Sequence, residues 1–484
     1  MKSRFFLAID IGTSGCKVAL VNSEGKIVRK IKETYEVFIN GHKVEQSPED
    51  WWLSTVKAIR KVMTGHDKKS VEAVCVAGQS PVVLPIGRDG KPLSRAILWM
   101  DRRAIKQADL ISEVSGWKAD PSEVIPKILW LRDNKPELYR RTAAFLQASD
   151  YINYRLTGRI VTDHYTALTS NYDIDRGEWP HYITELEIND LLPRVCKPGE
   201  IIGQISEEAS KNLGLERDVK VVVGSIDAFT ATLGSGLLSP RDACDITGTS
   251  TCLFVVTKSR VLDSKARILT VPHFIEGLNL SFGMISTSGA LVDWLVKLMY
   301  HREKEPYKVL TEEAENSPPG SNGLVVIPHF AGSRTPSWDP DMRGLMAGLT
   351  LSHKRGDIAR GIFEGCAFAL KHVVNHLEKG GVLVGDIRAG GQGSTNTFWC
   401  KLKASITGRT YLILNEPDVT LLGCGILAMY ATGYYKSLEE AMKSVVRVAG
   451  VVKPDKKLMK MYGEVYRTYL ATYNWLVGRN RSSG

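Results

Sequence analysis

The stretch Ala8-Ile9-Asp10-Ile11-Gly12-Thr13-Ser14-Gly15-Cys16-Lys17 returns in altered form, far down the chain, as Asp245-Ile246-Thr247-Gly248-Thr249-Ser250-Thr251. Each copy follows an apolar or small-residue run and carries Gly-Thr-Ser at its tip. Each then leads into a second apolar run, Val18-Ala19-Leu20-Val21 or Leu253-Phe254-Val255-Val256. That pattern predicts strand, tight turn, strand in both places. Hairpin tips of this kind present backbone N–H groups and hydroxyls, and two of them facing each other suit a polyphosphate tail. The repeat therefore points to two related lobes around a nucleotide.

Working outward, 484 residues exceed what one hydrophobic core organises, so two or more domains are expected. A hydrophobic content of 43% and a charged content of 24% match a soluble globular enzyme. No run approaches the roughly 18 apolar residues of a membrane span. Met1-Lys2-Ser3-Arg4 leads straight into a strand pattern whose Asp10 interrupts any signal-peptide core, so a cytoplasmic protein without membrane contact is expected. The 8 cysteines are scattered with no Cys-x-x-Cys pair, which predicts small core residues and no zinc site. The net charge of +10 comes from dispersed lysines rather than an aromatic-interleaved stripe, so it describes a solvated surface and not a nucleic-acid interface.

The order of elements also repeats. Strands are predicted near 5–11, 16–22 and 26–36, then a helix opening at Ser47-Pro48-Glu49-Asp50 with Ser as N-cap, then a buried strand over 71–77. Helices are expected to dominate from Asp101 to Leu156, and a buried strand over 219–224 delivers Asp227. The second half has strands near 243–248, 251–257, 279–286, 323–328 and 386–389. Its helices begin at Ser288 and near 355, 395, 420 and 456. The expected fold class is α/β, with one architecture used twice. The boundary falls at Gly234-Ser235-Gly236, giving domains 1–235 and 236–484.

Neither a Gly-x-x-x-x-Gly-Lys-Ser/Thr run nor His-Glu-x-x-His occurs, which excludes a P-loop protein and a zincin. Carboxylates at strand ends carry the chemistry instead. Asp10, just before the first turn, suits hydrated magnesium; capping the turn is its alternative. Asp227 can take a proton from a substrate hydroxyl during phosphoryl transfer, or cap the helix that starts at Ala228. The glycines of Gly390-Gly391-Gln392-Gly393-Ser394 allow close approach of a flat ligand or make an ordinary strand-to-helix turn. His372 and His376 share a helix face, but no third metal ligand accompanies them.

Together these pieces resemble the FGGY family of carbohydrate kinases, within the actin/sugar-kinase/heat-shock-protein-70 superfamily, over nearly the whole chain. The residues that carry the resemblance begin with Asp10-Ile11-Gly12-Thr13 and Lys17, Leu98 to Arg103, Lys127 to Leu131, and Asp150-Tyr151 with Leu156-Thr157-Gly158. Gly224 to Asp227 and Gly248-Thr249-Ser250 follow. The most specific are Phe330 to Pro336 with Trp338-Asp339-Pro340, and Gly344 to Leu349 with Asp357-Ile358 and Phe363-Glu364-Gly365.

The resemblance implies two ribonuclease-H-like, actin-like ATPase domains, each with a mixed five-stranded sheet, and an active-site cleft between them that binds ATP and Mg2+. It assigns Asp10 to the metal and Gly12, Thr13, Ser14, Lys17, Gly248, Thr249 and Ser250 to the phosphates. Gly390, Gly391 and Asn396 go to the adenosine. Asp227 becomes the base, and Gln79, Ser80, Trp99, Asp101 and Arg103 border the sugar, although Trp99 also suits core packing. The implied reaction is phosphorylation of a ketopentose or related polyol, most like that of the xylulokinases. L-ribulose, gluconate and pentitols are alternatives, and a homodimer is a family-level expectation. A nucleotide-gated binding protein of the actin or chaperone type is the alternative of another class, one with no need of the Trp99-to-Arg103 motif.

The sequence departs from the family in places. Gly78-Gln79-Ser80-Pro81 stands where ketopentose kinases often carry Gly-Gln-Met-His and glycerol kinases Asn-Gln-Arg-Glu, which removes polar contacts and argues against glycerol. Ser333, Gly361, Val124 and Ser405 also differ from the usual residue types.

Overall fold

The computed structural model describes residues 4–116, 118–261 and 268–482, so Met1 to Ser3 lie outside them. The chain divides into two compact units, Met1–Gly234 with Thr420–Val445 and Ser235–Val419 with Val446–Gly484.

The first unit is built on β1 (Phe5–Ile11), β2 (Gly15–Asn22), β3 (Ile27–Thr34), β4 (Val71–Gly78), β5 (Ile201–Gln204) and β6 (Lys220–Ile226), in the order β5-β6-β4-β1-β2-β3. β1 is buried from Phe6 to Ile11, as a strand covered on both faces must be, and its apolar run shows no alternation for that reason. β1 and β2 pair antiparallel with Asp10 opposite Lys17. β1 and β6 both run parallel to β4, and Ile11 and Ile226 share one register partner, Gly78. Asp10 and Asp227 therefore emerge at the same end of the sheet, on strands that flank a common neighbour. Helix α1 (Pro48–Val62) starts as the sequence predicts: Ser47 caps it by accepting from the Asp50 N–H, and Trp51, Ala58, Ile59 and Val62 are buried. It packs on β2 and β3. A short second helix, α2 (Asp227–Gly234), follows β6 directly.

The second unit contains β7 (Ala243–Thr247), β8 (Thr251–Thr257), β9 (Leu269–Pro272), β10 (Asn279–Ile285), β11 (Ile387–Gly390), β12 (Tyr411–Leu414) and β13 (Val448–Val452), in the order β9-β10-β8-β7-β11-β12-β13. Its helices include α3 (Thr397–Thr407). Strand for strand, β10-β8-β7-β11-β12 repeats the order and sense of β3-β2-β1-β4-β6, two antiparallel pairings and then two parallel ones. The repeat seen in the sequence is thus a repeat of topology.

Two expectations are corrected. The sheets have six and seven strands rather than five, because the short edge strands β5, β9 and β13 extend the shared arrangement. Helices dominate 101–156 as expected, around one strand, Thr142–Leu146, which pairs with Leu84–Gly87; the strand expected near 323–328 is Val325–Ile327, paired with Leu345–Ala347 outside the seven-stranded sheet.

A single cut at 235 also fails to separate the units. Helix α4 (Val419–Ala431) belongs, from Thr420 on, with the first. A Cβ on Gly423 would stand 2.0 Å from the Thr230 carbonyl oxygen, and the Cys424 thiol lies 3.6 Å from the Ile9 carbonyl oxygen. That helix is apolar on almost every side, so its pattern carries no sign of which sheet it covers.

Candidate active site

Asp10 is the penultimate residue of β1, and Gly12-Thr13-Ser14 turns the chain into β2. The Gly12 N–H donates to the Gly15 carbonyl at 3.1 Å, and the Tyr35 hydroxyl donates to the Gly12 carbonyl. Among the described residues, the N–H groups of Thr13 and Ser14 make no hydrogen bond to the protein. Adjacent N–H groups left open at a tip form an anion-binding nest. Lys17 Nζ lies 3.8 Å from Asp10 Oδ2 and keeps 36% of its side-chain surface in solvent.

Asp227 follows the last residue of β6 and opens α2. The strand lies so close to β4 that a Cβ on Gly224 would stand 2.2 Å from the Val76 carbonyl oxygen, which is why glycine occupies that position. Asp227 Oδ1 accepts from the Ala228 N–H at 2.6 Å. A helix cap bonds the second or third N–H of its helix instead, so the capping alternative does not describe this side chain. Burial pushes the Asp227 carboxyl up to about 7, the nearby Asp10 charge adds to the rise, and the Ala228 N–H and Lys17 oppose it. Two carboxylates balanced by one lysine make a hard-oxygen donor set. Magnesium, which keeps most of its waters and takes one or two protein carboxylates, fits it. A larger cage is not present: the described residues contain no group of three or more metal-ligating side chains.

Thr13, Gln79 and Trp99 meet beside the turn. Trp99 Nε1 donates to Thr13 Oγ1 at 3.0 Å, which donates to Gln79 Oε1 at 3.1 Å. Trp99 is half-buried, and its N–H is engaged with the protein. The Ser80 hydroxyl donates to Gln147 Oε1 at 2.6 Å, so its proton is directed to the protein and not to a ligand.

Asp101 is fully buried and accepts from the Val44 N–H at 2.6 Å and from Arg103 Nη2 at 2.6 Å. A sealed carboxylate holds Arg103 rather than touching a sugar directly. Arg103 also donates to Glu45 at 2.7 Å through Nη2. Nε and Nη2 carry its side-chain bonds, leaving Nη1 as the donor on offer. Behind them Lys127, also fully buried, donates to the Leu98 carbonyl at 2.7 Å, and burial lowers its pKa to about 7.

In the second unit, Gly248, Thr249 and Ser250 form the corresponding tip. The Gly248 N–H donates to the Ser250 carbonyl at 2.9 Å, while the Ser288 and Gly289 N–H groups hold the Thr249 and Gly248 carbonyls at 3.0 Å. Gly248 and Thr249 are exposed. The acid differs between the copies. Asp245 lies one position further from its tip than Asp10 does, and a one-residue shift along a strand changes faces. It is buried, and receives Lys403 Nζ at 2.7 Å and the Thr247 hydroxyl at 2.6 Å. The second hairpin therefore offers N–H groups without a carboxylate.

At the end of β11, Gly391 has a φ of +76°, and a Cβ there would stand 2.4 Å from the Thr247 carbonyl oxygen. The close approach is to the protein's own strand. A Cβ on Gly390 would likewise meet Val419 Cγ2 at 2.8 Å. Asn396 is the N-cap of α3: Oδ1 accepts from the Trp399 N–H at 2.9 Å and Nδ2 donates to Thr311 at 3.0 Å. Its amide is thus engaged on both sides with the protein.

Tyr35, Gln46 and Lys403 take part in these networks and were not singled out from the sequence. Lys403 had a weak signal, one of two cations with Lys401 in the otherwise apolar run Phe398 to Ile406. Gln46 had none. His372 packs edge-on against Tyr473 at 4.9 Å in the second unit, with burial lowering its pKa to about 4.

Residues 5–234 match the N-terminal domain, and residues 245–432 the C-terminal domain, of the FGGY family of carbohydrate kinases. The chain is 28% identical over 483 residues to a xylulose kinase of Staphylococcus epidermidis, covering 98% of this chain and 97% of that protein. It is 26% identical over 461 residues to a gluconokinase of Bacillus subtilis, covering 90% and 89%. In fold it is similar to the ligand-bound xylulose kinase of Lactobacillus acidophilus, with a TM-score of 0.88 at 24% identity over 98% of both chains.

Proposed function

Because this chain belongs to the FGGY family of carbohydrate kinases, phosphotransferases with an alcohol acceptor, we propose that it moves the γ-phosphoryl group of ATP to a hydroxyl of a ketopentose, as a xylulokinase does. The observation that carries the reading is the pair Asp10 and Asp227, brought to one end of the sheet by strands that share Gly78 as partner, with Asp227 held near neutral acidity. A base with that acidity accepts a hydroxyl proton and later releases it at physiological pH. Asp227 Oδ2 takes the proton as the substrate oxygen attacks in line, while Oδ1 stays anchored on the Ala228 N–H.

The open N–H groups of Thr13 and Ser14, and the tip Gly248-Thr249-Ser250, are assigned to the phosphate oxygens, and Lys17 adds a positive charge. Asp10 is the residue we assign to magnesium, which when bound neutralises phosphate charge. Gly390 and Gly391 are kept as the adenosine side. Trp99, Gln79 and Arg103 are assigned to the sugar, with Asp101 behind Arg103. A neutral sugar fits better than a sugar acid because Arg103, the one cation among them, is already matched by Asp101 and Glu45. Free cysteines at every described position accord with a reducing cytoplasm. A homodimer is the assembly expected, and light scattering reads it directly.

Asp227→Ala should cut turnover by roughly 10²–10⁴ while ATP binding stays largely intact. Unchanged turnover in that variant rejects the base. A wild-type panel of pentuloses, pentitols and gluconate with MgATP tests the substrate class, and preference for gluconate overturns the ketopentose reading.

A further inference from the structure

Thr13, Gln46 and Gln79 close a ring of hydrogen bonds. Thr13 Oγ1 donates to Gln79 Oε1 at 3.1 Å, Gln79 Nε2 donates to Gln46 Oε1 at 2.8 Å, and Gln46 Nε2 returns to the Thr13 carbonyl at 2.6 Å. Two indoles fix its direction. Trp51 Nε1 donates to Gln46 Oε1 at 3.0 Å and Trp99 Nε1 to Thr13 Oγ1 at 3.0 Å. An indole N–H can only donate, so Gln46 must turn its oxygen to Trp51 and its amino group to Thr13. Gln79 then has one orientation left, and the Thr13 hydroxyl spends its proton on Gln79. Gln46 itself is fully buried.

The ring has a consequence for the turn. A peptide unit is planar and trans, so its N–H points opposite to its C=O. The Thr13 carbonyl, drawn inward by Gln46, belongs to the same peptide as the Ser14 N–H. The Gly12 carbonyl, drawn by the Tyr35 hydroxyl, belongs to the same peptide as the Thr13 N–H. Each inward anchor aims one open N–H outward.

We propose that Gln46 is a positioning residue that links the two halves of the substrate site within the first unit. It aims the Ser14 N–H at phosphate and, through the same amide, sets the orientation of Gln79 and the Thr13 hydroxyl on the sugar side. Tyr35 aims the Thr13 N–H; Gln79 Nε2 reaches the same Gly12 carbonyl only at 3.5 Å, and its short bond is to Gln46, so Tyr35 serves mainly the phosphate side. The proposal rests on the assignment of this turn to phosphate and of Gln79 and Trp99 to the sugar.

The test uses the full chain with D-xylulose and MgATP, the affinity for ADP being measured separately by calorimetry. Gln46→Glu preserves shape and the acceptor for Trp51 but turns a carboxylate oxygen on the Thr13 carbonyl. Near pH 8 it should raise the Kd for ADP and the KM for xylulose together, each about tenfold or more, the size expected when a buried hydrogen bond is replaced by an unsatisfied pair. The introduced carboxyl faces Thr13, Trp51 and Gln79, all uncharged, and the adjacent Glu45 is held by Arg103. On acidification toward about pH 6 it regains a proton to donate, so both defects, taken as ratios to wild type at the same pH, should shrink.

Tyr35→Phe should weaken ADP binding about fivefold while the KM for xylulose stays put. A Gln46→Glu chain that loses only kcat, or whose defects do not shrink with acid, overturns the proposal. If that variant does not fold, wild-type ADP affinity in Tyr35→Phe overturns the aiming argument on which it stands. A wild-type chain inactive on xylulose and other polyols overturns the function instead, and the ADP titrations still report on the turn.

Discussion

Lys403→Met is the perturbation whose size the structure fixes most closely. The Lys403 and Asp245 side chains retain 4% and 1% of their surface in solvent, and Nζ lies 2.7 Å from Asp245 Oδ2. Nζ also donates to Thr247 at 2.7 Å and sits 4.4 Å from the centre of the Trp399 ring. Methionine keeps the apolar stem and roughly the volume, so packing changes little. What is lost is the charge, and Asp245 is left buried with only the Thr247 and Tyr411 hydroxyls as donors. Stranding one member of a buried ion pair costs about 3–5 kcal/mol. For a unit of about 200 residues that is a fall of roughly 6–20 °C in its unfolding temperature. Urea unfolding followed by tryptophan fluorescence measures it, with Trp399 as a reporter beside the change. Adding Asp245→Asn removes the stranded charge and should restore about half or more of the loss. Two results would refute the reasoning: Lys403→Met within about 1 kcal/mol of wild type, or a double variant no more stable than the single one.

Other outcomes follow from single contacts. Gly224→Ala forces a Cβ against the Val76 carbonyl, a neighbour that cannot rotate away, so it should cost about 1–3 kcal/mol in stability. By shifting Asp227 it should also lower kcat roughly 10²-fold, and full activity in that variant would disprove the link. Lys127 has its pKa lowered from 10.5 to about 7 by burial, so between those values the unfolded chain binds the extra proton. Its unfavourable contribution is complete below about pH 7 and fades as pH rises toward about 10. The stability of wild type minus Lys127→Met should therefore climb over that range, and a flat or falling difference in urea titrations contradicts it. Asn396→Ala should lower the second unit's stability by about 1 kcal/mol through loss of a helix cap, seen in the same unfolding experiment.

What could be seen in the sequence was whatever is encoded locally. Both hairpins, the Ser47 cap with Pro48, and the buried runs of β1, β4 and β6 depend on neighbours a few residues away, and each stands where periodicity put it. Asp10 and Asp227 could be picked out because a carboxylate at the end of an apolar strand is conspicuous. The edge strands β5 and β9 are four residues long, too short to show a period. The partners of Trp99, Gln46 and Ser80 are set by tertiary register. Thr13 lies 33 residues from Gln46 and 86 from Trp99, separations that no local pattern reports. Asn396 is legible as a cap as well, since Asn directly before Thr397-Phe398-Trp399 is a helix-start signal.

The return of residues 420–445 to the first unit bears on how this enzyme can be dissected. The polypeptide passes from one unit to the other at three junctions, not one. A fragment ending at Gly234 would lack the helix that covers Ile9 and Thr230 and would expose bare apolar sheet to aggregation. The complementary piece would carry that same greasy helix with nothing to bury it. Neither half is a self-sufficient folding module. Excising the segment and rejoining 419 to 446, with 420–445 grafted after 234, is the dissection that respects the packing.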